Sequence, residues 1–262
     1  MPYFSFGFIY AFVAIVLDGS VTYLGEYIKA VLIRSTDGLP MESALWFLPA
    51  MFWASVIYLF IDKTISNEKL KTIIIVLLTS IGCLWTMYGL PNLPWAVSSA
   101  LSALGFYHLG NIYKRYEKII NDKKLYKKIF LILMAFIGII GALINDKLNM
   151  RVGYWGVVPV TYFNAIVLVW VSLQVAKELG KVKFCKNILS FIGVNSIVYL
   201  CVNHPVITLS DIVVKKILKY TLKDCFIVEE ILCFFITMIV IYIITKVLMK
   251  TKIRVIFGKN SY

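Results

Sequence analysis

Eight apolar runs, each near the length of a bilayer crossing, divide this 262-residue chain. They fall at residues 2–17, 44–61, 72–90, 95–113, 129–144, 157–175, 189–209 and 225–249. A helix needs about 20 predominantly apolar residues to cross the hydrocarbon core, where unpaired backbone is not tolerated. Runs of that length predict one fold class: an all-α, polytopic transmembrane helical bundle of about eight spans, with residues 1–262 forming one membrane-embedded domain. Composition agrees, with 60% hydrophobic and 16% charged residues and a mean hydropathy of +0.84.

A net charge of +13 would suit nucleic acid in a soluble chain. Here the basic residues lie between the spans, and nucleic acid is not expected as a partner. Residues 62–71, 114–128, 176–188 and the tail from Lys246 hold 19 of the 27 Lys and Arg, against 8 in the intervening loops. The positive-inside rule then places both termini in the cytoplasm. The loop KRYEKIINDKKLYKK is the firmest marker. The exception is 210–224, where Lys215, Lys216, Lys219 and Lys223 stand on the outer side. That segment reads as an amphipathic helix at the interface, and residues 27–33 as another short one. Trp46, Trp95 and Trp155 fall at outer ends of spans, as an aromatic belt requires.

The chain has five cysteines and two histidines, His108 and His204. There is no CxxC pair, phosphate loop, dinucleotide fingerprint, zinc-protease motif or nucleophile elbow. No metal and no bound cofactor are expected. Ser98, Ser102 and Gly105, and then Gly138 and Gly141, are small residues that let helices approach closely. Pro159 and Asn164 interrupt the sixth run.

Polar residues concentrate in the seventh run, LSFIGVNSIVYLCVNHPVITL. Each costs free energy in hydrocarbon unless paired, so polar groups within a span are candidates for function. Asn195, Tyr199 and Asn203 share one helical face by their i, i+4, i+8 spacing. Pro205 cannot donate to the Cys201 carbonyl and disfavours helical dihedrals at His204. A kink or helix end is therefore expected near Asn203, with the imidazole at the break. His204 is either a general base, neutral at pH 7, or a packed polar residue. Asn195 and Asn203 are either site residues or interhelical partners, and Trp46 either belt or site. His108 reads as structural. Glu229 and Glu230 are either solvated at the outer interface or turned into the bundle. Asp146 and Arg151 read as a loop salt bridge.

Four stretches resemble one family. Leu45-Trp46-Phe47-Leu48-Pro49-Ala50 resembles the "LWFLPAL" segment of the integral-membrane acyltransferase type 3 family, which includes sugar O-acetyltransferases of bacterial envelope polysaccharides. Residues 93–113 resemble its "LPW…AL…FFYLGYLIK" helix. Residues 189–207 resemble its "LSYIGKNSLVIYLLHQPII" helix, which aligns the family's late histidine with His204 and its Asn-Ser pair with Asn195 and Ser196. Pro2-Tyr3-Phe4 resembles the opening of the family's third span. The resemblance covers essentially the whole chain. It departs at the start: the family's "KGxxIxLVVxGH" helix, whose histidine is read as the catalytic base, the next helix and a basic cytoplasmic loop are not in this sequence. The resemblance thus implies an N-terminally incomplete member whose isolated chain is inactive.

The resemblance implies transfer of an acetyl or other acyl group from acyl-CoA to a hydroxyl of a cell-envelope or capsular polysaccharide sugar. Acetyl-CoA is then the donor substrate, and the location is the inner (plasma) membrane. A sugar hydroxyl is a poor nucleophile and needs a positioned base; the thioester oxyanion needs N–H donors. His204, Asn195 and Trp46 are the catalytic candidates. Tyr199, Asn203 and Glu229 are the substrate-binding ones, and Lys114 and Arg115 the candidates for meeting CoA phosphates. Ordinary positive-inside bias explains those two equally well. Two other readings stay open: a small transporter or flippase of envelope precursors, to which broken helices with polar groups at mid-depth are suited, and a remnant that only packs.

Overall fold

The computed structural model describes residues 2–18, 23–39, 44–121, 127–145, 148–218 and 226–257. Among them every regular element is helical, apart from an isolated bridge between Asn149 and Tyr154. Each apolar run holds a helix: α1 (Pro2–Asp18), α3 (Phe47–Thr64), α4 (Glu68–Met87), α5 (Val97–Asn121), α6 (Lys127–Ile144), α7 (Val158–Leu179), α9 (Ser196–Leu218) and α10 (Phe226–Lys250). Two further helices are present: α2 (Leu24–Lys29), continued by a π turn at Ala30–Arg34 over the stretch where a short helix was expected at 27–33, and α8 (Lys183–Val194), which takes the first six residues of the run expected at 189–209.

Five segments among the described residues are long and apolar enough to cross a bilayer: Ala44–Thr64, Glu68–Met87, Val158–Leu179, Ser196–Ile217 and Val228–Lys250. Pro2–Leu17 and Ile129–Ile144 are apolar but shorter. The chain is a multi-pass membrane protein.

It divides into two compact units, Phe47–Lys186 and a discontinuous one that joins Met1–Trp46 to Asn187–Tyr262. The contiguous unit is built on α3, α4 and α5. Ala54, Tyr58, Ile61, Ile75, Ala100 and Leu104 form its core. Asn67 starts α4 by accepting from the amides of Lys69 (3.0 Å) and Leu70 (3.3 Å). Helix α4 meets α5 at Gly82, where a Cβ would stand 2.4 Å from the Ser102 amide. Ser98, Ser99 and Ser102 are fully buried along α5. Gly138 and Gly141 do the same for α6 against α7; a Cβ on Gly141 would meet Asn164 Oδ1 at 2.2 Å. Ser98, Ser102, Gly138 and Gly141 are close-approach positions that the sequence predicts; Gly82 and Ser99 are added by the structure.

Trp155 departs from the belt expectation. It is 1% exposed, donates from Nε1 to Thr86 Oγ1 at 3.0 Å and stacks on Tyr162 at 6.0 Å. An indole whose N–H finds a hydroxyl inside the protein has no need of the headgroup layer. Pro159 sits in the first turn of α7, where its missing N–H is tolerated. Asp146, Lys219 and Lys223 lie outside the described residues.

In the discontinuous unit, α1 packs against α2, the π turn and α9, and α9 runs beside α10. The Tyr3 hydroxyl donates to the Val31 carbonyl at 2.7 Å and lies 2.9 Å from Ser35 Oγ. The expected break at Asn203–Pro205 is not there: α9 is continuous from Ser196 to Leu218 with Pro205 inside it. The chain turns instead at Asn195, between α8 and α9. The physical reason is a long-range donor: the Tyr10 hydroxyl bonds the Cys201 carbonyl, the acceptor that Pro205 leaves unpaired. Residues 210–218 accordingly belong to α9, not to a separate surface helix.

Candidate functional site

Helices α9 and α10 leave a groove of about 500 Å³ between them. Its polar wall is Ser196, Tyr199 and Asn203 on α9, facing Glu230 and Thr237 on α10; Cys233 and leucine, isoleucine, methionine and phenylalanine side chains complete it. The helical repeat brings these groups together: 196, 199, 203 and 207 lie on one face of α9, and 230, 233, 234, 237, 238 and 241 on one face of α10.

Three of the wall's polar atoms are buried and lack a hydrogen-bond partner among the described residues: Tyr199 Oη, Asn203 Oδ1 and Thr237 Oγ1. His204 Nδ1 is a fourth such atom, next along the helix, though His204 is not part of the wall. Buried polar atoms are nearly always paired, so a row of orphans calls for an explanation. Each costs about 1–3 kcal/mol. A ligand bearing hydroxyls supplies both the donors and the acceptors that such a row lacks.

The other sequence candidates are placed as follows. Asn195 is buried (5% exposed) and donates from Nδ2 to the Phe191 carbonyl at 2.7 Å. It therefore closes the end of α8, while Tyr199 and Asn203 face the groove. Trp46 is half-buried, in a 3₁₀ turn (Ala44–Trp46) that packs against α9 and α1. Glu229 stands 3.9 Å from Lys215 Nζ, and it is its neighbour Glu230 that lines the groove. Thr237 escaped the sequence reading; the available signal was a hydroxyl seven residues, about two turns, beyond Glu230 in an apolar run.

Lys114 and Arg115 belong to the other unit. Lys114 is exposed. Arg115 Nη1 is 2.9 Å from Glu68 Oε2, whose Oε1 is 2.9 Å from the buried Lys71 ammonium. Lys71 also reaches Asp62 at 2.5 Å. Within this cluster the two cations are balanced by two carboxylates, which makes Arg115 a weak phosphate ligand. His108 is buried with both ring nitrogens engaged, Nε2 3.0 Å from Thr72 Oγ1 and Nδ1 3.4 Å from Tyr58 Oη. This agrees with its structural reading. Among the described residues no three His, Cys, Asp or Glu side chains converge as metal ligands.

No curated protein and no solved structure matches the chain. A family model described as an acyltransferase domain matches residues 1–246, nearly the whole sequence. The groove thus lies in the matched region, and the chain belongs to the acyltransferase 3 family.

Proposed function

We propose that this protein is a membrane O-acyltransferase of the inner (plasma) membrane, with both termini cytoplasmic and about eight spans. It moves an acetyl or acyl group from acyl-CoA to a hydroxyl of an envelope or capsular polysaccharide sugar. The observation that carries this reading is the groove between α9 and α10, with its unpaired Tyr199, Asn203 and Thr237 side chains. A sugar hydroxyl is the ligand class that satisfies them. The family match supports acyl transfer as the chemistry.

In this reading Tyr199 and Asn203 hold the acceptor, with Glu230 and its neighbour Glu229 at the outer end. The acceptor oxygen bonds to the thioester carbonyl carbon, the C–S bond breaks, and the hydroxyl proton passes through His204 to the departing thiolate. The Trp46 indole N–H is the donor to the oxyanion. Asn195 acts as a positioning residue, because it fixes where α9 begins.

Membranes carrying the full chain, given labelled acetyl-CoA and envelope polysaccharide, test this. Label entering the polysaccharide would support this reading and overturn the inactivity that the resemblance implies for the isolated chain; His204→Ala should then lower incorporation by about 10²-fold or more, the scale of a lost general base, and Asn203→Ala should lower it as well. Glycan movement across vesicles without acetylation of any polysaccharide would replace this reading by a transporter.

A further inference from the structure

We infer that α8 is a membrane-surface helix seated on anionic phospholipid headgroups. The helix is 12 residues long, about 18 Å at 1.5 Å per residue, which is too short to cross a bilayer. It has no buried residue. Phe184 is 72% exposed, so no described residue covers it, while Ile188, Phe191 and Ile192 are half-buried, with Phe191 edge-on to Tyr242 of α10 at 5.0 Å. Helical spacing sets Phe184, Ile188, Phe191 and Ile192 on one face and Lys183, Lys186, Asn187 and Ser190 on the other.

Charge decides what covers this helix. Just before it, Lys177 and Lys181 are paired with Glu117 and Glu178. Lys183 and Lys186 have no ion-pair partner among the described residues. An apolar stripe backed by two unneutralised ammonium groups matches a surface with phosphate at one level and hydrocarbon about 5–10 Å below it. Lysine stems lie along the apolar layer while their ammonium groups reach the phosphates. The helix ends at Asn195, whose carbonyl accepts from the amides of Val198 (2.9 Å) and Tyr199 (3.3 Å). A headgroup seat for α8 therefore sets the depth of the first turn of α9, where the groove's Ser196 and Tyr199 stand. This inference does not depend on acyl transfer.

The full chain reconstituted in phosphatidylcholine vesicles, with and without phosphatidylglycerol, gives the test. Native mass spectrometry of the unlabelled chain should show preferential retention of phosphatidylglycerol. A lysine near an anionic surface is worth about fivefold in binding, so Lys183→Glu with Lys186→Glu should reduce that preference at least about tenfold. In a chain with its native cysteines replaced, a nitroxide at Phe184→Cys should be relaxed by oxygen and shielded from an aqueous nickel chelate. A nitroxide at Ser190→Cys should show the reverse. Unchanged lipid preference, equal nickel access at the two sites, or shielding of both from both reagents would each overturn the inference. If the cysteine-replaced chain misfolds, the label-free lipid preference still decides.

Discussion

The Tyr10 hydroxyl, on the first helix, donates to the Cys201 carbonyl in the middle of α9. Pro205 carries no N–H for that carbonyl, so a side chain 191 positions away stands in for a backbone amide. This keeps α9 continuous past Asn203 and His204.

Removing the stand-in should be costly only while the proline is present. Tyr10→Phe is expected to destabilise the protein by about 1–3 kcal/mol, the range for a buried acceptor left unpaired. In a Pro205→Ala background the amide at position 205 can take the carbonyl, and the same change should cost less by about 0.5 kcal/mol or more. Thermal midpoints of the four variants in detergent measure the cycle. Equal costs in both backgrounds would rule out the substitution of one donor for the other.

The groove's unpaired atoms predict a split between stability and activity. Tyr199→Phe and Thr237→Val remove hydroxyls that have no partner among the described residues. Each should leave stability, read from the thermal midpoint, unchanged or raise it by up to about 1 kcal/mol, while acetyl incorporation falls. A lower midpoint would mean that the hydroxyls serve packing alone.

Close helix contacts predict which glycines resist replacement. A Cβ at Gly82 would fall 2.4 Å from the Ser102 amide nitrogen. Gly82→Ala should therefore destabilise by about 1–3 kcal/mol through overpacking, despite alanine's better helix propensity. Gly193 has nothing within 4 Å of a built Cβ, so Gly193→Ala should be neutral or stabilise by about 0.5–1 kcal/mol. Denaturation of the two variants side by side separates the effects.

The α2 segment should respond to acid. A hydrogen bond from Arg34, and next one from Lys29, hold the Glu26 carboxyl below its ordinary range. A depressed folded-state value contributes stability that is present above the unfolded carboxylate value and is lost as pH falls through the lowered one. Amide exchange over residues 24–29 should accelerate across that acidic window. Glu26→Gln should flatten the response, and an unaltered pH profile would count against the ion pairs.

Much of the fold was legible because hydrocarbon permits so little. Each apolar run contains a helix, and small residues at Gly82's partner Ser102, at Gly138 and at Gly141 marked the tight contacts. What stayed hidden depended on partners far away in sequence. Pro205 reads locally as a helix breaker, and only Tyr10 shows why it is not one. Trp155 reads locally as a belt residue, and only Thr86 explains its burial. Of the three residues that spacing put on one face, Tyr199 and Asn203 line the groove, while Asn195 closes α8 instead. The choice of Glu229 over Glu230 was a matter of about 100° around α10, which an almost uniformly apolar helix does not specify.

The discontinuity of the Met1–Trp46 and Asn187–Tyr262 unit carries a consequence for biogenesis. Phe47–Lys186 emerges from the ribosome as one uninterrupted piece and has every partner for its own core before Asn187 is made. Helix α1 is made before that piece, yet the Tyr10 hydroxyl has no Cys201 carbonyl to bond until that residue is synthesised, 191 positions later. At about 5–20 residues per second, that is a wait of roughly ten to forty seconds. During it the hydroxyl of α1 must stay unpaired or take another acceptor.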